Sequence, residues 1–206
     1  MTINAKNVAD YLLNKLKVAI SKKGTATLVV SGGSSPIPVF EALVASEFDW
    51  ENVIVTLVDE RAVASDHADS NHKLVLDHLL CGKVAKANFI PLYANQAEYD
   101  KIRDCDVILL GMGTDGHFAS LFPDMIHLSE AFDPNAEPAI ITTGPMGNPV
   151  HPRISMNMSM IQQIPHICLM LPNDEKRALF EAAKTDNQLP IHYLQKTLQD
   201  RLVLFS

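Results

Sequence analysis

The sequence is short of cysteine and of long apolar runs. It has three cysteines in 206 residues, Cys81, Cys105 and Cys168, which lie far apart in or beside apolar runs. An odd number at such spacing favours neither a disulfide framework nor a Cys-x-x-Cys metal site, so we expect a reducing cytoplasm. No apolar run approaches the ~18 residues that a membrane span needs, and the N-terminal residues lack the pattern of a signal peptide. We therefore expect a chain that is neither secreted nor anchored.

Basic residues are also few. Lys and Arg number 17 against 24 for Asp and Glu, which gives a net charge of −7. Such a chain has no global positive field to attract a nucleic-acid backbone, so an anionic ligand would need a local cationic pocket. The hydrophobic content of 47% and the charged content of 20% are those of an ordinary globular protein. The length favours a single domain over residues 1–206.

Helical and strand-like segments alternate along the chain. Asn4 is placed to cap a first helix, and Gly24 is placed to end it. Short apolar runs of the kind found in a sheet covered on both faces lie at 27–30, 53–58, 106–110, 139–143, 154–158, 166–171 and 201–205. Helical segments lie at 36–46, 71–81, 174–184 and 191–198. This βαβ rhythm predicts a largely parallel sheet, and the proline-rich stretch 134–152 is expected to be a surface excursion around one short strand.

Glycine is scarce at nine residues, yet the two segments 31–35 and 111–116 hold five of them. Each segment follows a strand and precedes a helix, which places it at the carboxyl edge of a parallel sheet, where α/β proteins bind ligands. In the first, Gly32 and Gly33 let the backbone approach an anion. Ser31, Ser34 and the free amides of the following helix are suited to a phosphate. A plain strand-to-helix turn is the alternative.

The second segment contains Gly111, Gly113 and Gly116 in a GxGxxG spacing. A dinucleotide site is disfavoured, because Pro123 cuts the following helix short and no second strand ending in an acid follows. Asp115 and His117 stand out instead. An imidazole near neutral pH can take a proton, and a carboxylate two residues away can orient it, so this pair is a candidate for acid–base catalysis.

A third cluster spans residues 55–73. Asp59, Glu60 and Arg61 are predicted to end a buried strand, where Arg61 could hold an anionic oxygen and Asp59 could accept from sugar hydroxyls. A structural ion pair is an equal alternative. His67 and His72 lie near Asp66 and Asp69, but no pair has a recognised ligand spacing, so no metal site is predicted here.

Two later cations complete the candidates. Arg153 opens an apolar strand, and Lys176 lies near the start of a helix, where a cation opposes the helix dipole unless an anion is bound. With Arg61 they would form the local cationic pocket. The alternative is that Asp174 and Glu175 already neutralise this first turn. Met156, Met158 and Met160 alternate and are interpreted as a strand face and its exit, without a cofactor role.

Five motifs occur together: SGGSSP (31–36), VDER (58–61) with SN (70–71), LLGMGTDGHFASLFP (109–123), RISMN (153–157) and NDEK (173–176). In this order the chain resembles the glucosamine-6-phosphate isomerase/6-phosphogluconolactonase family from about residue 8 to 198. The resemblance implies a three-layer α/β/α fold of the glucosamine-6-phosphate deaminase and ribose-5-phosphate isomerase type, with no metal or nucleotide cofactor. It also implies hydrolysis of 6-phospho-D-glucono-1,5-lactone to 6-phospho-D-gluconate, a small-molecule substrate, by a monomer or weak homo-oligomer.

The residues are given roles in that reaction. His117 is predicted to be the general base and Asp115 to orient it, while Arg61 and amides of the 111–116 loop, which includes Gly113, stabilise the oxyanion. The segment from Ser31 through Gly32 and Gly33 to Ser34, with Arg153 and Lys176, is predicted to hold the phosphate, and Asp59 to bind the sugar.

Two alternatives stay open. A deaminase-like enzyme would share the DGH turn, but it typically has DEY where this chain has DER, and a further acid where this chain has ASLFP. A sugar-phosphate-sensing module would usually carry a DNA-binding helix-turn-helix, for which this chain has no room, and would not need Asp115 and His117.

Overall fold

A long amphipathic helix, α1 (Ala5–Lys23), precedes the main sheet in the computed structural model, which describes residues 3–92, 100, 102 and 104–206. The Asn4 side chain accepts a hydrogen bond from the amide of Asn7, and Gly24 ends the helix in the left-handed region at φ 84°. Both predicted ends are therefore confirmed. The single-domain prediction over 1–206 includes residues outside the described part of the chain.

The main sheet has six parallel strands in the order β4-β2-β1-β5-β8-β9. These are β1 (Ala26–Val30), β2 (Val53–Leu57), β4 (Asn88–Ile90), β5 (Val107–Leu110), β8 (His166–Met170) and β9 (Leu202–Phe205). All residues of β1 and β5 are buried, because both faces of the sheet centre are covered. The order reverses beside β1, so the loops after β1 and β5 lie side by side at one edge, a usual ligand-binding position.

Helices flank this sheet. They are α1, α2 (Ile37–Val44), α3 (Asn71–His78), α4 (Ser129–Phe132), α5 (Met158–Gln163), α6 (Asp174–Ala182) and α7 (Pro190–Leu198). Short 3-10 turns lie at Gly82–Lys86, Pro123–Met125 and Gln199–Arg201. The predicted α/β class with a largely parallel sheet is confirmed. In the described part of the chain, no helix is both long enough and apolar enough to cross a membrane.

A second, antiparallel sheet has the order β3-β7-β6 and contains a hairpin that was not predicted. The one strand expected inside the proline-rich stretch is β6 (Ile140–Met146), and the predicted run 154–158 corresponds to β7 (His151–Met156), which begins earlier, within that stretch. The apolar run 154–158 also ends earlier than predicted. Asn157 leaves the strand and caps α5 through its side chain, so Met158 and Met160 lie on a helix, buried in the core.

The acidic-basic run after β2 belongs to this second sheet. Asp59, Glu60 and Arg61 were predicted to end the buried strand, but β2 ends at Leu57 and they form a separate strand, β3 (Asp59–Arg61). The cause is visible at Val58, whose amide donates to Val30 in the main sheet while its carbonyl accepts from Met156 in β7. The chain crosses here from one sheet to the other.

Candidate active site

A cavity of about 230 Å³ lies between the loops after β1 and β5 and the strands β3 and β7. Ten of the eleven predicted site residues line it: Ser31, Gly32, Gly33, Ser34, Asp59, Arg61, Gly113, His117, Arg153 and Lys176. The eleventh, Asp115, contacts His117. Residues that are far apart in the sequence thus meet in one pocket, at the predicted edge of the sheet.

The side chains of His117 and Asp115 form a close pair. His117 Nδ1 lies 2.5 Å from Asp115 Oδ1, and the same oxygen accepts the amide of His117 at 3.1 Å. Burial alone would raise the pKa of Asp115, but the hydrogen bonds and charge of His117 outweigh it and bring that pKa below its ordinary value. An ionised carboxylate only accepts hydrogen bonds, so Nδ1 donates. In the neutral ring, Nε2 then carries the lone pair.

The turn that carries this pair depends on glycine. A Cβ built on Gly113 would lie 2.2 Å from Cε1 and Nδ1 of the His117 ring and 2.7 Å from Asp115 Oδ1. Gly116 adopts φ 79°, a backbone conformation that residues with a side chain rarely take. The imidazole therefore packs directly on the backbone of Gly113, which fixes its position.

In the serine-glycine loop, residues 31–35, the free amides belong to the loop itself and not to the start of α2. Pro36 and Pro38 have no N–H, and the amides of Ile37, Val39 and Phe40 donate to the carbonyls of Ser34 and Pro36. The predicted helix amides are thus already used. Within the described residues, the loop amides of Gly32, Gly33, Ser34 and Ser35 donate no hydrogen bond, and these residues line the cavity. Such a run of free amides is a typical anion-binding element.

Three of the six amides of the 111–116 loop are used within the fold. Gly111 donates to Ser31 Oγ, Gly113 to the carbonyl of His117 and Gly116 to that of Gly113. These three amides are therefore not available as oxyanion donors, and the predicted role can fall only to the other amides of the loop. Met112 lines the cavity, and its amide makes no hydrogen bond to any described residue.

Arg61 and Arg153 occupy facing positions in strands β3 and β7. An Arg61 Nη1 hydrogen donates to the carbonyl of Asp69, while Arg61 Nε is buried without a partner among the described residues. Burial, and next the charge of Arg61, bring the pKa of Arg153 below its ordinary value. Two like charges opposite each other destabilise a strand pair. A bound anion would relieve this repulsion.

The Arg153 guanidinium is held by the hairpin that it belongs to. Nε and Nη2 donate to the carbonyl of Met146, and Nη2 also donates to that of Pro149 at 2.6 Å. Its Cζ lies 5.8 Å from the centre of the Phe122 ring. The centre of that ring lies 4.6 Å from the centre of the His117 ring. Phe122 therefore links the two polar groups.

The acids of β3 face inward and are buried. Asp59 Oδ2 accepts from Ser120 Oγ at 2.6 Å. Glu60 accepts from the amides of Arg61, Asn71 and His72 and from Ser70 Oγ, so its carboxylate caps α3. Glu60 is therefore structural, and it connects the backbone of Arg61 to the start of α3.

Lys176 lies at the edge of the cavity, in the first turn of α6. Burial brings its pKa below the ordinary value, against the opposing charge of Glu175. Asp174 pairs instead with Arg177. The acids of this turn thus do not hold Lys176 in an ion pair among the described residues, and the ammonium is available to the pocket.

Seven residues that line the cavity were not among the predicted site residues: Ser35, Asn71, Gly111, Met112, Ala119, Phe122 and Asn148. Asn71 is buried, donates from Nδ2 to the carbonyl of Asp59 and has Oδ1 without a partner in the described chain. A Cβ on Gly32 would lie 1.8 Å from that oxygen, so the two loops touch there. The sequence did contain a signal for Asn71, because it belongs to the SN motif at 70–71. It contained no signal for Asn148.

The four residues weighed as metal ligands are not brought together as a set. His72 packs its ring on Phe89 at 4.9 Å, away from His67. His67 and Asp69 instead lie beside His151, a residue that the sequence did not associate with them.

A sheet of this kind, with an imidazole–carboxylate pair and a cationic wall at its carboxyl edge, is typical of an enzyme for small anionic substrates. The family described as glucosamine-6-phosphate isomerases/6-phosphogluconolactonase matches residues 3–203. The chain belongs to this family.

The chain is similar to curated 6-phosphogluconolactonases. The chain is 39% identical to a 6-phosphogluconolactonase of Neisseria meningitidis serogroup A over 198 residues, covering 89% of this chain and 85% of the relative. It is 37% identical to that of Rhizobium meliloti, covering 98% and 93%. A crystal structure of a 6-phosphogluconolactonase from Shewanella baltica is similar with a TM-score of 0.85 at 30% identity, covering 97% of this chain and 91% of that one.

Proposed function

We propose that this chain hydrolyses the ring ester of 6-phospho-D-glucono-1,5-lactone to 6-phospho-D-gluconate, the second step of the oxidative pentose phosphate pathway. One observation carries the proposal: His117, paired with Asp115, lines the same cavity as the facing cations Arg61 and Arg153. The names of the relatives support the same reaction.

His117 is the general base. Asp115 accepts a hydrogen bond from the Nδ1–H of His117. Nε2 is therefore the ring nitrogen that can remove a proton from a water molecule. The water oxygen bonds to the lactone carbonyl carbon, and the carbonyl electron pair moves onto its oxygen. When the carbonyl re-forms, the bond to the ring oxygen breaks, and the proton on Nε2 passes to that oxygen.

The oxyanion of this intermediate needs donors. Arg61 and the free amide of Met112 both belong to the cavity wall, and one well-aimed donor contributes ~3 kcal/mol to such a step. A serine or cysteine nucleophile is not needed, because an activated lactone is opened directly by water.

The phosphate is assigned to the other donors of the pocket. Four free amides of residues 32–35, the guanidinium of Arg153 and the ammonium of Lys176 supply both hydrogen bonds and charge. Asp59, with one oxygen held by Ser120, is assigned to the sugar hydroxyls.

The proposal also includes a cellular compartment and an oligomeric state. All three cysteines are free, and burial raises the pKa of Cys105 and of Cys168 to about 12, which suits packed thiols in a reducing cytoplasm. We assign the chain to the cytoplasm and to a monomer or weak homo-oligomer.

The test is a coupled assay with freshly generated 6-phosphogluconolactone. We expect the protein to accelerate hydrolysis well above the spontaneous rate, and His117→Ala to lose most of this acceleration. A wild-type rate equal to the spontaneous rate would disprove the function. The same preparation would then be assayed for glucosamine-6-phosphate deamination, the alternative reaction.

A further inference from the structure

Two histidines and an aspartate lie together beside the active site, outside the proposed catalytic machinery. His67 and Asp69 belong to the loop between β3 and α3, and His151 is the first residue of β7. Asp69 and His151 are 82 positions apart in the sequence. The pairing of β3 with β7 brings them together, because Arg61 and Arg153 are register partners and the loop folds back over the strand.

The ligand atoms have spacings suited to a small cation. Asp69 Oδ2 lies 2.8 Å from His151 Nε2 and 3.8 Å from His67 Nδ1. One ligand atom from each of the three residues lies within 4.8 Å of the other two. Ligand atoms around a tetrahedral Zn²⁺ are about 3.3 Å apart. The two distances lie on either side of that value. His67 Nδ1 also accepts the amide of Asp69 at 3.1 Å, but His67 is exposed enough to turn its ring toward an ion.

The chemistry of the three groups favours one class of ion. Imidazole nitrogen with carboxylate oxygen is a typical ligand set for Zn²⁺ and related divalent transition metals, whereas Mg²⁺ and Ca²⁺ prefer oxygen alone. Three protein ligands leave a fourth position for water. Each of the three side chains has solvent access, with exposed fractions of 46% for His67, 35% for Asp69 and 22% for His151.

We propose that His67, Asp69 and His151 form a binding site for a divalent transition-metal ion, with Zn²⁺ as the expected occupant. The bound ion ties the loop of residues 62–70 to the hairpin strand β7. It does not enter the proposed hydrolysis, in which no residue of the three takes part.

The site has a direct connection to the pocket. The Asp69 carbonyl accepts a hydrogen bond from Arg61, and His151 lies two residues before Arg153 on the same strand. An ion held by Asp69 and His151 therefore braces the backbone on which both arginines depend.

The experiment measures metal binding alone, so it is independent of the proposed function. Co²⁺ would be titrated into the metal-free protein, its visible absorption followed, and Zn²⁺ then used to displace it, with stoichiometry measured by calorimetry. We expect one Zn²⁺ per chain. His67→Gln and His151→Gln should each weaken binding by at least about 10-fold, since even outer contacts of metal sites contribute that much.

Three control variants address other ligands. His72→Gln changes a neighbouring histidine whose ring packs on Phe89, and Cys81→Ser removes the partly exposed thiol. His117→Ala removes the histidine of the catalytic pair. All three should bind Zn²⁺ as the wild type does. Because His67 is exposed, His67→Gln should fold, which circular dichroism would verify.

A second measurement tests the tie between loop and hairpin. Amide hydrogen exchange of residues 62–70 should slow at least about 5-fold on addition of Zn²⁺ to the wild type, because local opening must then break the metal bonds. It should not slow in His151→Gln. The proposal is overturned if the wild type binds no Zn²⁺, if His67→Gln and His151→Gln bind it unchanged, or if binding disappears in Cys81→Ser or His117→Ala.

Discussion

Arg61 and Arg153 are cross-strand partners, and both guanidinium groups belong to the wall of one cavity. The pocket therefore carries electrostatic repulsion that a bound anion would remove. We expect inorganic phosphate to stabilise the protein, by ~2.7 kcal/mol at 100 times its dissociation constant, which corresponds to an increase in Tm of roughly 5–10 °C.

Differential scanning calorimetry would measure this shift, with sodium chloride at matched ionic strength as the control. Arg61→Gln should show a smaller shift. An equal shift in that variant would mean that relief of the repulsion between the two arginines does not contribute. An equal effect of chloride would mean that the stabilisation is not specific to phosphate.

His117→Ala should lower kcat by ~10² to 10⁴ with little change in KM, because a general base acts mainly in the transition state. His127, which is exposed and does not line the cavity, provides the matched control. Steady-state kinetics of His127→Ala should equal those of the wild type. A wild-type kcat in His117→Ala would remove this residue from the mechanism.

Asp115→Asn should keep the fold and lose much of the rate, because the charge that orients the imidazole is gone while the shape remains. The pKa of Asp115 is lowered in the folded state, so its stabilising contribution is complete above its unfolded pKa of about 4 and is lost as the pH falls through the folded pKa. The stability difference between wild type and Asp115→Asn should therefore be largest near neutral pH.

Urea unfolding at a series of pH values would measure that difference. It should shrink below about pH 4, where the carboxyl of the unfolded chain begins to take up its proton while that of the folded protein is still ionised. A difference that stays constant across the acid range would show that the charge of Asp115 does not contribute.

Lys176→Met should weaken substrate binding and stabilise the free protein. The ammonium is half-buried, its pKa is lowered, and it lies in the first turn of a helix, where a cation is unfavourable. Loss of the charge should raise KM for the phosphorylated lactone more than it lowers kcat, and should raise the free energy of unfolding by about 0.5 kcal/mol. Kinetics and urea unfolding at pH 7 would test both.

Unphosphorylated gluconolactone is the control substrate for this variant. It should be turned over poorly by the wild type and be nearly indifferent to Lys176→Met, because it lacks the group that the ammonium binds. If it loses as much activity as the phosphorylated lactone, Lys176 is not part of a phosphate site.

Gly113→Ala should lower kcat at least about 100-fold while the protein stays folded. The added methyl group would lie 2.2 Å from the His117 ring, so the imidazole must move, and small displacements of a catalytic group cost this much. Gly144→Ala is the matched control, since nothing lies within 4 Å of its added Cβ. Equal rates for the two variants would contradict the packing argument.

The main sheet was predictable because its signals are local. Apolar runs buried on both faces, the Asn4 cap and the Gly24 stop each act within a few residues, and the structure has them where the sequence indicated. The short edge strand β4 (Asn88–Ile90) was not predicted, because its three residues are not a buried apolar run. The two glycine-rich loops were predictable for the same reason.

The second sheet was not predictable in this way. Its hairpin lies among prolines that indicate a loop, and the pairing of Arg61 with Arg153 depends on a register between segments about ninety residues apart. The sequence also could not show that the start of α2 has no free amide. Pro36 and Pro38 lack an N–H, but whether the other amides are free depends on which carbonyls they reach in the folded chain. The grouping of His67 and Asp69 with His151 follows from the same long-range pairing.

Because the chain crosses between the sheets at Val58, the pocket is built from both. The general base His117 lies on the loop after β5 of the main sheet, and Arg61 and Arg153 lie on strands of the second sheet. The position of the imidazole and the positions of the two arginines can therefore be changed separately in this fold. Changes in the turn between β6 and β7 can alter which anion is accepted while leaving the imidazole in place. A protein engineer seeking a lactonase for a different acidic sugar would begin with that turn.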